Sequence, residues 1–294
     1  MTASITTRGL TLRYGKVTAV DDVSLHLEAG RIHGLLGRNG SGKTSLLSVV
    51  AAFRPATHGE VLLDGQPVFE NRDATGQICL VRGPGDSVEH DWPDNRVEDA
   101  MAFAATVRPR WDAAYADRLL ERFGVPRRHR LEHLSRGQRS AVGVVLGLAS
   151  RAPVTMFDES YLGMDAPARY TFYDEVLTDF MEHPRTFVVS THLIDEVAAI
   201  FDDVVIIHEG RLLLHEDAEE LRTRATTVTG PAEQVERFVA GRRVLAERSL
   251  GPTRSATVDG AIDEREHANA HAAGLELGPV ALQDLFVHLT DDQE

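Results

Sequence analysis

The stretch "GRNGSGKT", Gly37 to Thr44, places three glycines, a lysine and two hydroxyls within eight residues. Its spacing is G-x-x-x-x-G-K-[ST], between the apolar run "RIHGLL" and a segment whose pattern turns helical near Thr44. Gly37, Gly40 and Gly42 let the backbone curl so that successive N–H groups face one point, which attracts phosphate oxygens. The helix that follows adds the positive end of its dipole. Lys43 brings a full charge suited to β- and γ-phosphates, and Thr44 offers a hydroxyl to Mg²⁺. Arg38, Asn39, Ser41 and Ser45 complete the candidate nucleotide-binding residues of this loop. A glycine-rich turn alone would be ordinary; the strand before it and the helix after it make it a phosphate site.

Three further positions have chemistry to offer. Asp158 ends the apolar strand "VTMFD" and suits a Mg²⁺ ligand, which would keep several waters. Glu159 follows directly, points elsewhere, and suits a general base for water attacking a γ-phosphate. Taken alone, the pair reads equally as two acids at a solvated strand exit. His192 stands just past "VVST", where it could donate to a phosphate, orient water or merely cap the strand. Tyr14, in "LRYG", could stack on a base, worth about 1–3 kcal/mol, or belong to a strand. "LSRGQRS", residues 134–140, precedes an apolar helix and reads locally as its N-cap at Ser135.

Elements of alternating type must position these groups. Residues 5–36 read as short strands, with Val23, Leu25 and Leu27 alternating. "HGEVLLDGQPV" is a hairpin turning at Asp64-Gly65, and "ICLVR" is a buried strand. A helix is expected from about Thr44 to Phe53. Helices follow from Val97, from Asp112 as N-cap to Gly124, and over "RSAVGVVLGLASR". The strands "VTMFD" and "TFVVS" are continuous apolar runs, as expected where both sheet faces are covered. Strands alternating with helices indicate an α/β fold with a mainly parallel sheet. After about residue 222 the order becomes strand, helix, strand, strand, helix, strand, as in a split βαβ or ferredoxin-like unit. A last helix, "ALQDLFVHLT", carries Leu282, Leu285, Phe286 and Leu289 on one stripe.

The totals narrow the partners. A net charge of −14 argues against a general nucleic-acid surface, and no nucleic acid is expected. The longest apolar run, residues 141–149, falls short of the roughly 20 residues that cross a bilayer. No signal peptide is expected from the first fifteen residues, and the single cysteine, Cys79, fits a reducing compartment.

Together, and in this order, the motifs resemble those of the ATP-binding subunits of ABC transporters, over roughly residues 4–220. Tyr14 resembles the adenine-stacking aromatic, residues 37–44 the Walker A loop, and "VTMFDE" the Walker B strand with its catalytic glutamate. "ESYLGMD" resembles the D-loop ending at Asp165, and His192 the switch histidine. "LSRGQ" looks like the signature motif, with Ser135, Gly137 and Gln138 retained and Arg136 at its variable third position. The resemblance implies a P-loop NTPase core over 1–221 with an antiparallel β subdomain and a helical subdomain about 84–150. An accessory α+β domain follows over 222–294. It implies ATP and Mg²⁺ as ligands, with catalysis by Glu159 and His192 and the metal held by Thr44 and Asp158. It also implies a head-to-tail pair, homodimer or heterodimer, in which each signature covers ATP on the other subunit's Walker A loop. Integral-membrane subunits would be the further partners, holding the chain at the cytoplasmic face of the membrane.

One motif departs from the pattern. Where the family carries a glutamine after the hairpin, the sequence reads "ICLVRGPGD", with Arg82 and Gly83 near that position and Gln77 at the wrong end of the strand. Water, or a group such as Asp86, would fill the metal shell, or coupling differs. The tail, "PVALQDLFVHLT" above all, looks like that of exporter-type ATPases with separate membrane subunits. A soluble ABC ATPase or a binding-only regulatory subunit is the alternative. His267 and His271 share a helix face at i, i+4, which reads as a solvated face before a metal pair.

Overall fold

Strand β1 (Ile5–Tyr14) pairs antiparallel with β2 (Val17–Leu27), Ile5 opposite Leu27, because Val23, Leu25 and Leu27 give β2 one buried apolar edge. The computed structural model describes residues 2–83, 94–260, 262–280 and 282–291. The buried strand β3 (Ile32–Leu36) runs into the glycine-rich loop, and α1 (Lys43–Val50) follows. The helix begins one residue before the span the sequence pattern suggests and ends three residues short of its end. Ala52 takes the left-handed conformation (φ 56°), and the N–H groups of Ala52 and Phe53 return to the carbonyls of Val49 and Ser48. That is a Schellman ending built on alanine in place of glycine. Next, β4 (His58–Leu63) and β5 (Gln66–Pro67) form the expected hairpin, with Asp64 and Gly65 both at positive φ. The sheet order is β2-β1-β4-β5. A single turn, α2 (Arg72–Thr75), leads to β6 (Ile78–Arg82).

Helices α3 (Val97–Val107), α4 (Ala113–Arg122) and α5 (Arg136–Ala149) come next. Asp112 caps α4 by accepting from Tyr115 N–H, and Gly124 turns the chain at φ 63°, both as read from the sequence. Then β7 (Val154–Asp158), α6 (Ala166–Glu182), β8 (Thr186–Thr191), the short α7 (Ile194–Val197), β9 (Asp203–His208) and β10 (Arg211–Asp217) complete the larger unit. The second sheet has the order β10-β9-β3-β8-β7-β6, and β9, β3, β8, β7 and β6 pair in parallel. Every residue of β7 and β8 is buried. On one face, Leu46, Leu47 and Val50 of α1 share a core with Val23, Met156 and Val188. On the other, Phe157 stands edge-on to Phe172 at 5.1 Å, and α5 lies so near that a Cβ at Gly147 would come within 2.7 Å of Phe157 and Val81.

Backbone contacts divide the chain into Met1–His215 and Glu216–Glu294. After α8 (Ala218–Thr223), the second unit runs β11 (Ala225–Pro231), α9 (Ala232–Val239), β12 (Val244–Leu250), β13 (Thr253–Asp259), α10 (Glu264–Ala272) and β14 (Glu276–Pro279). It closes with α11 (Leu282–Asp291). Its sheet has the order β12-β13-β11-β14, every pairing antiparallel, over a small core of Val228, Val235, Ala256, Ala270 and Leu275. In α11, Leu282, Leu285 and Phe286 are buried, and the side chain of Leu289 lies outside the described residues.

Candidate functional site

The glycine-rich loop leaves the C-terminal end of β3 and is fixed by close backbone packing and by the Lys43 side chain. Gly42 has φ 106°, closed to other residues in practice, and a Cβ there would collide with the carbonyl of Ala19. A Cβ at Gly37 would strike Ser41 Oγ and the carbonyl of Ile207. Ser41 O accepts from Gly210 N–H at 2.9 Å, so the loop is tied to the turn between β9 and β10. No side chain caps α1 and its first turn holds no acid, which leaves its N–H groups and dipole to an incoming anion. Lys43 is buried, its Nζ donating to the carbonyls of Gly37 (2.7 Å) and Arg38 (3.2 Å). Arg38, Asn39, Gly40 and Thr44 are exposed at the mouth. Tyr14 reaches the same loop, with Ser45 Oγ donating to its hydroxyl at 3.5 Å, and the Arg54 guanidinium lies 5.2 Å from its ring.

Asp158 ends β7, buried, with Oδ1 lacking any hydrogen-bond partner; Ser41 Oγ is buried in the same condition. Burial pushes the Asp158 carboxyl above its ordinary range, partly offset by the neighbouring Thr44 and Ser190 hydroxyls. An unpaired buried carboxylate oxygen is costly. A hard cation such as Mg²⁺ asks for oxygen donors of this kind, so Asp158 with Thr44 fits it. Glu159 follows at φ 47°, a left-handed conformation uncommon for residues other than glycine. The turn swings its carboxylate away from the Asp158 direction, to 3.5 Å from Lys43 Nζ and 3.4 Å from Nδ1 of His192. The loop lysine, the two acids and the histidine therefore meet where three adjacent strands, β3, β8 and β7, end.

Tyr161 belongs to this cluster and has no counterpart in the sequence reading. Its buried hydroxyl lies 2.9 Å from Thr191 Oγ1, 3.3 Å from His192 N and 3.2 Å from His192 Nδ1. The available signal was an aromatic two residues past Glu159, which reads equally as core.

Ser135 is the N-cap of α5. It accepts from Gln138 N–H at 3.2 Å, while Gln138 Oε1 accepts from Ser135 N–H at 3.1 Å, a reciprocal capping box. Asp165 caps α6 in the same way through Ala168 N–H. The two caps are neighbours, since a Cβ at Gly137 would come within 2.8 Å of Gly163 O and the Arg136 stem covers Gly163. Among the described residues, no hydrogen bond joins Ser135, Gly137, Gln138 or Asp165 to the 37–45 loop.

At the departing motif, Arg82 ends β6 in register with Asp158. Its Nη2 donates to Ser48 Oγ at 3.3 Å, and its guanidinium lies 4.9 Å from the Phe53 ring, which braces the far side of α1. Gly83 packs on the Asp158–Glu159 backbone, where a Cβ would come within 3.1 Å of Glu159 O. Gln77 is at the opposite end of β6, bonded to Asp73 O, and Asp86 lies outside the described residues. Among the described residues no group of three or more His, Cys, Asp and Glu side chains is disposed to hold a metal, His267 and His271 included, and no helix is long and apolar enough to cross a membrane.

Residues 20–161 match the ABC transporter family. A spermidine/putrescine import ATP-binding protein of Nitrosomonas europaea, PotA, is 33% identical over 70% of this chain, which spans only 57% of that relative. A daunorubicin resistance ATP-binding protein of Streptomyces coeruleorubidus, DrrA3, is 26% identical over 98% of this chain and 96% of its own length. Among solved structures, an ATP-binding subunit of an ABC transporter superposes with a TM-score of 0.65 at 21% identity, over 74% of this chain and 91% of the other, a likeness of fold. A Halobacterium salinarum protein named for ABC transporter ATP binding is 31% identical over 74% of this chain and 95% of its own length. At that identity over nearly a whole relative, the chain belongs to the family of ABC transporter ATP-binding proteins.

Proposed function

We propose that this chain binds and hydrolyses ATP with Mg²⁺ and, as one of a head-to-tail pair, powers export through separate transmembrane subunits at the cytoplasmic face of a membrane. The observation that carries the catalytic part is the convergence of Lys43, Asp158, Glu159 and His192 at neighbouring strand ends. Loop N–H groups and Lys43 would hold the phosphates, and Tyr14 would stack on the base. Bound Mg²⁺ supplies charge neutralisation at the β- and γ-oxygens, and Thr44 and Asp158 are the residues that would hold it. Glu159 would take the proton of the attacking water, and His192 would steady the γ-phosphate.

Ser135, Gly137, Gln138 and Asp165 form a second, separate edge in one subunit. We read that edge as the lid for nucleotide held by a partner copy, either a second copy of this chain or a related one. Loss of the γ-phosphate would release both subunits, a population shift that membrane partners could use.

Export is favoured by the full-length similarity to the daunorubicin resistance protein, which extends through the second unit. The polyamine import relatives, which align at higher identity, do so over 68% to 79% of this chain and not over its full length. We assign residues 1–221 to the ATPase domain and 222–294 to an accessory domain of ferredoxin-like type. The strand–helix–strand–strand–helix–strand order and the sheet order β12-β13-β11-β14 support that class.

The test is co-purification in mild detergent. An integral-membrane partner together with Mg²⁺-dependent ATP hydrolysis is the expected result. A chain that turns over ATP but never associates with membrane protein would favour the alternative, a soluble or regulatory ATPase.

A further inference from the structure

We propose that Tyr161 is a positioning residue that fixes His192 in the tautomer carrying its proton on Nε2. The inference rests on the reading of His192 as a phosphate-facing group and deepens it.

The argument is a count of protons around one buried hydroxyl. Thr191 is fully buried, and its Oγ1 accepts from Leu193 N–H at 2.9 Å. Its own hydrogen goes to the Tyr161 oxygen, 2.9 Å away. The same oxygen accepts the backbone N–H of His192 at 3.3 Å. Both acceptor positions of the phenol are then filled, and a hydroxyl has one hydrogen left to give. That hydrogen points to His192 Nδ1, 3.2 Å away. Nδ1 must therefore be the bare nitrogen, and a neutral ring with a bare Nδ1 bears its hydrogen on Nε2. Burial pushes the Tyr161 phenol above its ordinary range, so the hydroxyl keeps the proton that this arrangement needs.

Two consequences follow for the cluster. The ring edge turned away from Tyr161 becomes a donor, the property required to grip an anionic oxygen. Glu159 Oε1, 3.4 Å from Nδ1, faces a nitrogen that offers it no hydrogen. With Nδ1 protonated, Glu159 would be bound by the histidine and withdrawn from water. Tyr161 thereby keeps His192 and Glu159 from occupying each other.

The experiment reads the tautomer directly. Protein labelled with ¹⁵N-histidine, without nucleotide, is examined by long-range ¹H–¹⁵N NMR, and the His192 signals are assigned by their loss in His192→Gln. The wild type is expected to show protonated Nε2 and bare Nδ1; a ring protonated on Nδ1 overturns the proposal with no mutant needed. Tyr161→Phe is expected to move His192 toward the Nδ1-protonated form and to lower kcat about tenfold, a change of one ordinary hydrogen bond. KM for ATP should not change. In a His192→Ala background, Tyr161→Phe should have no further effect on kcat. Unchanged His192 signals in Tyr161→Phe, or a loss of kcat that adds to that of His192→Ala, would overturn it. Since the tautomer is measured without turnover, absence of ATP hydrolysis in the wild type would defeat the functional reading, and an Nδ1-protonated ring would defeat this one.

Discussion

Lys43 Nζ lies 3.5 Å from Oε1 of Glu159, which sets the cation of the phosphate loop against the carboxylate that follows β7. The pair is buried on the lysine side and partly open on the carboxylate side, so a phosphate entering the loop would compete with Glu159 for the ammonium group. Glu159→Gln removes the base and the competing charge together. The expected outcome is turnover lowered roughly 10²–10⁴-fold with ATP affinity kept or improved. Size-exclusion chromatography with ATP should show a stable dimer, and a persistent monomer would contradict the head-to-tail scheme.

Lys43→Ala is expected to abolish tight nucleotide binding in titration calorimetry. The Lys43 ammonium also donates to the Gly37 and Arg38 carbonyls of the loop, while Ser41 holds the loop to Gly210 through the backbone whatever residue stands at 43. The variant should fold but melt somewhat lower, having lost those two bonds, and normal affinity in it would remove the phosphate-site assignment.

Ser135→Ala removes an N-cap, expected to cost about 1 kcal/mol of stability in chemical denaturation. ATP binding to the isolated subunit should be unaffected, because no hydrogen bond joins Ser135 to the 37–45 loop among the described residues. Dimer closure in the Glu159→Gln background should be weakened. Reduced affinity in the monomer would place Ser135 in the wrong site.

Arg82→Gln separates the brace from the metal shell. The variant loses the bond to Ser48 and the contact with Phe53, an expected cost of about 1 kcal/mol. If an amide at this strand end joins the metal shell, the Mg²⁺ concentration for half-maximal ATPase activity falls in the same variant. A melt and a Mg²⁺ titration on one sample decide both points.

Asp203 lies buried between His33, at 2.5 Å, and His215, at 2.7 Å. Burial alone would raise its carboxyl, but the bonds from His215 and His33 overcome this and hold it far below the usual carboxylate range. A carboxyl lowered in the folded state contributes stability above its unfolded value, about 3.9, and loses it as pH falls toward the folded value. Urea midpoints should therefore drop between about pH 5 and pH 3. The drop should be shallower in Asp203→Asn, which is less stable at pH 7, and equal slopes would show that Asp203 has no part in it.

The path of the glycine-rich loop was legible because its requirements are local. Positive φ at Gly40 and Gly42, a strand before and a helix after all lie between Ile32 and Val50. Strand β7 was legible for a similar reason, as burial on both faces leaves an unbroken apolar run ending in Asp158. The order of the second unit could be read from its turns, at Gly241, Gly251, Gly260 and Gly274. The end of α1 was missed because Ala52 adopts a conformation that composition assigns to glycine. Tyr161 was missed because its partners, Thr191 and His192, are 30 and 31 residues away and become neighbours only when β7 and β8 pair. The network of His33, Asp203 and His215 was hidden in the same way, with 170 residues between its first two members.

The capping box at Ser135 explains why this position asks for a hydroxyl and not simply for a good cap. Asparagine and aspartate cap helices as well as serine does, each through an oxygen lone pair. Serine alone of the three spends that lone pair on the Gln138 N–H and keeps a swivelling hydrogen to hand outward. Aspartate would confront an approaching γ-phosphate with a like charge, and asparagine would aim its amide from a longer, fixed arm. Under the head-to-tail reading, one oxygen would face two ways, inward to begin a helix and outward to greet an anion brought by another molecule.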